Sequence, residues 1–339
     1  MTLKDIAEKA GVSMMTVSNV INGKHNRVSE KTIEKVNAII QEYGYVPNLS
    51  ARSLTNKTSN IIGVLITESQ VNDEENYLEN PYISTMIGTI ERELRKNGYY
   101  TMVRAVSQPS DIMTLLKNWN VDGIIFLHPD FQDYLESFYA QSGCPLAVFD
   151  GTIPLPGLIN VTSGDQKGLY LSTKYMINHS HSHIAFVADY EGNDILTKRF
   201  AGYRQALEES GIPFRPEYVF PYPPSYEGGI EAGKKIAGSR NEITAVVTTP
   251  DICAIGVMEG ARLSGYRIPI DLSVIGFDNL KLCQYTVPKL TSISQNIPLK
   301  AKTAVDLLLE QIRTGSLSRP GHVQMEVEIV ERQSVVSLF

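Results

Sequence analysis

Near residue 60 the chain changes its hydrophobic period, and no single architecture accommodates both sides of that change. Before it, apolar residues recur every three to four positions. Leu3, Ile6, Ala7 and Ala10 share one helical face, behind a Thr2/Asp5 capping pair. Gly11 interrupts, Ser13 caps a second short helix over 14–22, and Asn22-Gly23 ends it. On that second helix Thr16, Val17, Val20 and Ile21 share one face; Met14, Met15, Ser18, Asn19 and Asn22 share the other. Ser29 caps a third helix whose inner face carries Ile33, Val36, Ile39, Ile40 and Tyr43, closed by Gly44 and Pro47. Two short helices, a glycine turn and a third helix make a helix-turn-helix plan. A small three-helix bundle with no role on DNA fits the same periodicity.

Charge separates the two sides. The 339 residues carry 31 Lys+Arg and 37 Asp+Glu, a net −6. Residues 1–58 hold eight basic and five acidic residues, so the first segment is +3 and the rest −9. Such asymmetry points to a basic binding head on an acidic body.

After residue 60 short β-rich runs alternate with amphipathic stretches. Strands are expected at Ile61–Ile66, Tyr99–Arg104, Gly123–Leu127, Leu146–Phe149, Ile184–Ala188, Thr244–Thr248 and Ser273–Phe277. Helices are expected at Ile83–Lys96, Asp130–Gln141, Gln166–Asn178, Lys198–Ser210, Glu227–Ala237 and Ile252–Ser264. This order implies parallel sheets covered on both faces, with enough units for two doubly wound subdomains and a ligand cleft between them. Asp150 and Asp278 end strand runs, and Arg199 lies near a helix start. Two carboxylates and a planar guanidinium suit a polyhydroxylated ligand. Asp residues at strand ends also serve as helix caps and turn formers.

The run Leu3–Ser13, then Thr16–Ser18, Val20–Gly23, Val28–Glu30 and Tyr43–Asn48 closely resembles the head of the lactose-repressor/galactose-repressor (LacI/GalR) family of bacterial transcription regulators. Ala51-Arg52-Ser53-Leu54 resembles that family's hinge helix. The body resembles it too, at Asn80-Pro81-Tyr82, Val121–Ile125, Asp165 with Gly168, Arg199–Tyr203, Val274–Asp278 and Leu290–Gln295. The resemblance implies an all-α helix-turn-helix head at 1–47, a hinge at 48–58 and a periplasmic-binding-protein-like core at 59–339. Within the core, the expected first subdomain is about 59–161 plus 294–321, and the second about 162–293 plus 322–339.

It also implies function: an effector-controlled repressor, acting in the cytoplasm as a homodimer on a near-palindromic operator, with no enzymatic activity and no cofactor. The expected DNA-facing residues are Ser13, Met14, Met15, Thr16, Ser18, Asn19, Asn22, Arg27, Ser29 and Thr32, with Ala51, Arg52 and Leu54 in the hinge. Leu54 suits a wedge between base pairs in the minor groove. The expected effector contacts are Asp150, Arg199, Asp278 and Gln295, for a small molecule of carbohydrate type. The sequence departs from the family at Asn19, where Arg or His is common, and at Met14 and Met15, which suit thymine methyls. Pro250-Asp251 stands where an Asn-Asp pair is usual, and Glu68–Glu79 is long and acidic.

Other readings fit less well. No apolar run approaches a membrane span, and Met1–Asp5 has no signal-peptide core. Cys144, Cys253 and Cys283 are odd in number and form no CxxC pair, which disfavours a disulfide framework or a zinc site. Gly228–Lys235 nearly spells a phosphate loop, but Lys235 stands where Ser or Thr must hold magnesium, so a helix is expected. His179, His181 and His183 alternate across a helix end, a turn and a strand start, which does not aim them together at a metal. A solute-binding sensor without a DNA role is opposed by the head, and a sugar-processing enzyme by the lack of a catalytic constellation. No heptad extension follows the last expected strand, which disfavours a coiled-coil tetramer.

Overall fold

The computed structural model describes residues 1–21, 23–45, 58–67, 76–106, 112–113, 120–127, 132–151, 155–239 and 242–338. Asn22, Ala51, Arg52, Leu54 and most of the acidic stretch 68–79 lie outside the described residues. Two compact units are present, Met1–Ser59 and Asn60–Phe339.

The head contains α1 (Leu3–Ala10), α2 (Met14–Ile21) and α3 (Glu30–Tyr43). Local chemistry sets their ends. Thr2 and Asp5 form a reciprocal capping box at the start of α1, and Gly11 leaves it in the left-handed region at φ 67°. Ser13 Oγ accepts from Thr16 N at 3.1 Å to start α2, and Ser29 Oγ accepts from Thr32 N at 3.4 Å to start α3. The apolar faces meet in a small core of Ile6, Ala7, Ala10, Val17, Val20 and Val36. Tyr43 differs from expectation. It is 45% exposed, and Lys9 Nζ lies over its ring and donates to its hydroxyl at 3.2 Å. A cation over the aromatic face takes the place of burial.

The body contains two six-stranded sheets. The first comprises β1 (Ile61–Thr67), β2 (Tyr100–Val106), β3 (Gly123–Leu127), β4 (Leu146–Phe149), β5 (Ile159–Ser163) and β11 (His322–Met325), in the order β11-β5-β4-β3-β1-β2. The second comprises β6 (Ile184–Val187), β7 (Val219–Phe220), β8 (Ala245–Thr248), β9 (Ser273–Asp278), β10 (Thr291–Ser294) and β12 (Glu328–Val330), in the order β12-β10-β9-β8-β6-β7. All pairings are parallel except β10 with β12. Each sheet thus reverses strand order once, between β1 and β3 in the first and between β6 and β8 in the second. Ligands bind beyond the carboxyl ends of strands in such sheets.

Helices α4 (Pro81–Lys96), α5 (Gln132–Ser142) and α10 (Ile297–Thr314) belong to the first half. Helices α6 (Asp165–Asn178), α7 (Asp194–Glu209), α8 (Tyr226–Ala237) and α9 (Asp251–Leu263) belong to the second. The chain crosses between halves after β5, after β10 and after β11. His322–Met325 pairs with β5 in the first sheet, so the third crossing follows Met325 rather than residue 321; the first follows Ser163 rather than residue 161.

Two features of the helices correct or explain the sequence reading. Asn193 caps α7, accepting from Leu196 N at 3.0 Å, so the helix starts four residues before Lys198 and Arg199 sits in its second turn. The glycines of the phosphate-loop-like run lie inside α8, packed on α9. A Cβ at Gly229 would come 2.2 Å from Cys253 O, and one at Gly233 2.3 Å from Val257 O. Their work is close helix contact. The three histidines have separate partners: His179 shares a hydrogen bond with Tyr175 O, His181 with Thr244 Oγ1 and Val336 O, and His183 with the Tyr218 hydroxyl. No group of three or more metal-ligating side chains gathers among the described residues. No described helix is long and apolar enough to cross a membrane.

Candidate functional site

Two surfaces carry the chemistry, one in each unit. In the head, burial of Val17 and Val20 turns the opposite face of α2 outward. Met14 and Met15 are 54% and 71% exposed, while Ser18 and Asn19 are half-buried beside them. Ser13, Arg27 and Ser29 are exposed around this face. Thr16 and Thr32 are half-buried, and their hydroxyls each share a 2.9 Å hydrogen bond with the capping serines Ser13 and Ser29. These pairs give helix starts an ordered rim of hydroxyls and free backbone N–H groups, which suits phosphate oxygens.

In the body, the carboxyl ends of β4, β5 and β9 and the crossing after β10 bring together polar side chains that lie far apart in sequence. Lys300, in the first turn of α10, is fully buried. Its ammonium donates to Asp150 Oδ1 and Oδ2 at 2.8 and 2.6 Å, to Ser163 Oγ at 2.8 Å and to Gln295 Oε1 at 3.2 Å. Ser163 Oγ donates in turn to Gln295 Oε1 at 2.7 Å, and Gln295 Nε2 donates to Asp278 Oδ1 at 2.6 Å. Four backbones here occupy the left-handed region: Asp150 (φ 56°), Asp278 (φ 119°), Asn279 (φ 56°) and Asn296 (φ 47°). For non-glycine residues such conformations cost energy and gather at functional sites.

A second ion pair stands beside the first. Arg199 donates from Nε to Asp165 Oδ1 at 2.9 Å, and Nη2 lies 2.8 Å from the same oxygen. Its Nη1 donates to Thr249 Oγ1, and the guanidinium lies 3.7 Å from the Phe277 ring centroid. Both cations therefore have counterions. Asp278 differs: its Oδ2 is buried and has no hydrogen-bond partner among the described residues. Burial, with Asp251 nearby, pushes its carboxyl up to about 8, against the pull of Arg199, Gln295 and Lys300. Tyr82, at the start of α4, is half-buried, with its hydroxyl buried and facing the same charges. Burial first, then Asp150 and Asp278, holds its phenol well above the ordinary value.

Of the four expected effector residues, Asp150, Gln295 and Asp278 join one network through Lys300, and Arg199 stands on Asp165. A cavity of about 380 Å3 opens alongside, lined among others by Asp150, Asn160, Ser163, Asp165, Lys167, Lys198, His322 and Gln324; of the four, only Asp150 lines it. Asp251 has a different place. It is fully buried, accepting from Ser292 Oγ at 2.5 Å, Leu280 N at 2.8 Å and Cys283 Sγ at 3.0 Å, and so braces the floor beneath β9. Gly276 makes room for it, since a Cβ there would come 2.3 Å from Asp251 Oδ1.

Reading the sequence alone missed Lys300, Ser163 and Thr249, and found no role for Tyr82 or Asp165. One signal was available. Ile297, Lys300, Ala301, Ala304, Val305 and Leu308 form one helical face, and a lysine within an apolar stripe must have acceptors waiting.

Comparison with known proteins bears on both surfaces. Residues 2–48 match the family described as "Bacterial regulatory proteins, lacI family", and residues 173–335 match a "Periplasmic binding protein-like domain". The chain is 31% identical over 343 residues to the HTH-type transcriptional repressor PurR of Photobacterium profundum, covering 99% of each. Among solved structures it resembles the lac repressor dimer bound to operator and the anti-inducer ONPF, at 27% identity and TM-score 0.85 over 99% of each chain. It also resembles a LacI family regulator from Enterococcus faecium with bound ribose, at 28% identity and TM-score 0.72, over 82% of this chain and 100% of that one.

Proposed function

Since this chain belongs to the LacI family of bacterial transcription regulators, we propose that a small molecule in the cleft of its body controls how its head grips a near-palindromic operator. The chain is a transcriptional repressor with a DNA-binding head and an effector-binding body, not an enzyme. Its partners are a cytoplasmic operator and a second copy of itself, because a two-fold dimer presents two heads to two half-sites about one helical turn apart.

On each half-site, Met14, Met15, Ser18 and Asn19 meet base edges. Methionines favour thymine methyls, and Asn19 favours adenine over the guanine that an arginine would read. Ser13, Thr16, Asn22, Arg27, Ser29 and Thr32 hold phosphates and register. Ala51, Arg52 and Leu54 form the hinge contact, with Leu54 as the wedge in the minor groove.

One observation carries the effector assignment: Asp278 Oδ2, buried and without a partner among the described residues, at the meeting point of both halves. A buried polar atom left unsatisfied is costly, and a ligand hydroxyl, which can accept from the protonated Oδ2 or donate to the ionised one, relieves that cost. Arg199 over Phe277 supplies a planar donor beside it, Gln295 sets the Asp278 orientation, and Asp150 lines the adjoining cavity. A neutral, hydroxyl-rich molecule of carbohydrate type fits this set, because hydroxyls both donate and accept and both cations already hold carboxylates. The test is a thermal-shift screen of the full chain with neutral sugars, their phosphate esters and purine bases. A neutral sugar is expected to raise the melting temperature of the wild type and not of Asp278→Asn. Stabilisation by phosphate esters or purine bases alone would refute the carbohydrate assignment, and an undiminished shift in Asp278→Asn would refute the site.

A further inference from the structure

The bonds around Lys300 run in one direction only. An ammonium has donors and no acceptor, so each of its four contacts must accept. Ser163 Oγ therefore accepts from Lys300 and spends its single hydrogen on Gln295 Oε1. Gln295 Oε1 receives both donors, which places its NH2 group on the opposite side, against Asp278 Oδ1. Reversing that amide would set NH2 hydrogens against the ammonium and the serine hydroxyl. The order Lys300 to Ser163 to Gln295 to Asp278 also crosses from the first half of the body to the second.

Nothing in the packing of α10 asks for a charge here. Its neighbours on the same face are Ile297, Ala301 and Ala304, and a leucine or methionine would fill the volume. A fully buried ammonium persists only with its acceptors supplied.

We propose that Lys300 is a positioning residue of the effector site: it locks the Gln295 amide with its NH2 toward Asp278 Oδ1, leaving Asp278 Oδ2 as the face offered to the effector. The importance of that face rests on the assignment of Asp278 as an effector contact. The lock itself needs no effector to be seen, so the two fail separately.

The experiment is NMR of the full chain without ligand, comparing wild type with Lys300→Met/Asp150→Asn. The double variant removes both charges of the pair, so no bare carboxylate is left. Two signals are followed: exchange of the Gln295 side-chain amide protons and titration of the Asp278 carboxyl. In the variant the amide is free to turn its oxygen to Asp278. Its protection is expected to fall at least about tenfold, and the Asp278 titration to rise by about one pH unit or more. Backbone amides of β9 and β10 keep their protection. Lys300→Arg retains a donor-only cation and is expected to keep the Gln295 amide protected. An amide as protected in the double variant as in the wild type would overturn the proposal. So would parallel loss of protection in β9 and β10, which would make Lys300 a support of the fold instead.

Discussion

Among the described residues, the head hides a core of Ile6, Ala7, Ala10, Val17, Val20 and Val36, while the body buries four larger apolar clusters on the two faces of each sheet. The head is held by features close in sequence: a capping box three residues wide, two serine caps, and Gly11 and Gly44 in the left-handed region. The body's site is held by Lys300 and Asp150, 150 positions apart, and by Ser163 and Gln295, 132 apart. Charge follows the same division, +3 on residues 1–58 and −9 beyond. A locally specified basic unit suits reading DNA, and a buried network assembled from distant segments suits sensing a ligand.

Removing residues 1–58 is the largest way to break this division. Operator affinity is expected to fall by roughly 10³-fold or more, to the level of non-specific binding, while the melting temperature of the body stays unchanged; electrophoretic mobility shift and calorimetry check this. Retained operator binding would place DNA recognition in the body.

The next effect belongs to the body alone. Asp278 holds its proton up to about 8 in the folded chain, against 3.8 for an ordinary aspartate. Its contribution to stability is complete below 3.8 and is lost as pH rises through about 8, because the unfolded chain releases the proton first. Asp251, raised by burial to about 6, acts in the same direction. Stability is therefore expected to decline between pH 4 and 8, and Asp278→Asn is expected to flatten the decline. Denaturant unfolding at several pH values measures it; the same slope in both proteins would contradict the assignment of the carboxyl.

Two smaller changes sharpen the head's side of the comparison. Leu54→Ala is expected to weaken operator binding on the order of tenfold and to reduce bending of the duplex, with the melting temperature of the body unaltered. Bending that stays unaltered, measured by energy transfer between the duplex ends, would remove the wedge. Ser29→Ala deletes one cap of α3 and is expected to cost the head about 1 kcal/mol, read from its own unfolding transition, without moving that of the body.

The same contrast explains what the sequence revealed. Helix starts at Thr2, Ser13 and Ser29 were legible because a cap and the N–H it serves lie two or three residues apart. Seven strands were legible as apolar runs. The interior strands β5 and β10 were not, because polar residues interrupt them (INVTS and TSIS), and neither were the outer strands β7, β11 and β12, two to four residues long and partly exposed. In the site, Asp150 and Asp278 were legible because each ends a strand. Gln295, the partner of Asp278, was named only through the family resemblance, and Lys300 was not: its pairing with Asp150 depends on two chain crossings, and Thr249 and Asp165 acquire roles only through Arg199. Asp251 shows the converse, a polar residue at the start of α9 that serves the floor of the sheet.

Occupancy of the cleft at Asp278 is proposed to set the grip of the head on DNA. Its most direct test is fluorescence anisotropy of the full chain on a duplex selected from random sequences, with and without the compound that raises its melting temperature. A change in operator Kd of about fivefold or more is expected, matched by an equal factor in the compound's affinity when operator is present, and lost in Asp278→Asn. A compound that binds at Asp278 yet leaves the operator Kd unchanged would contradict it.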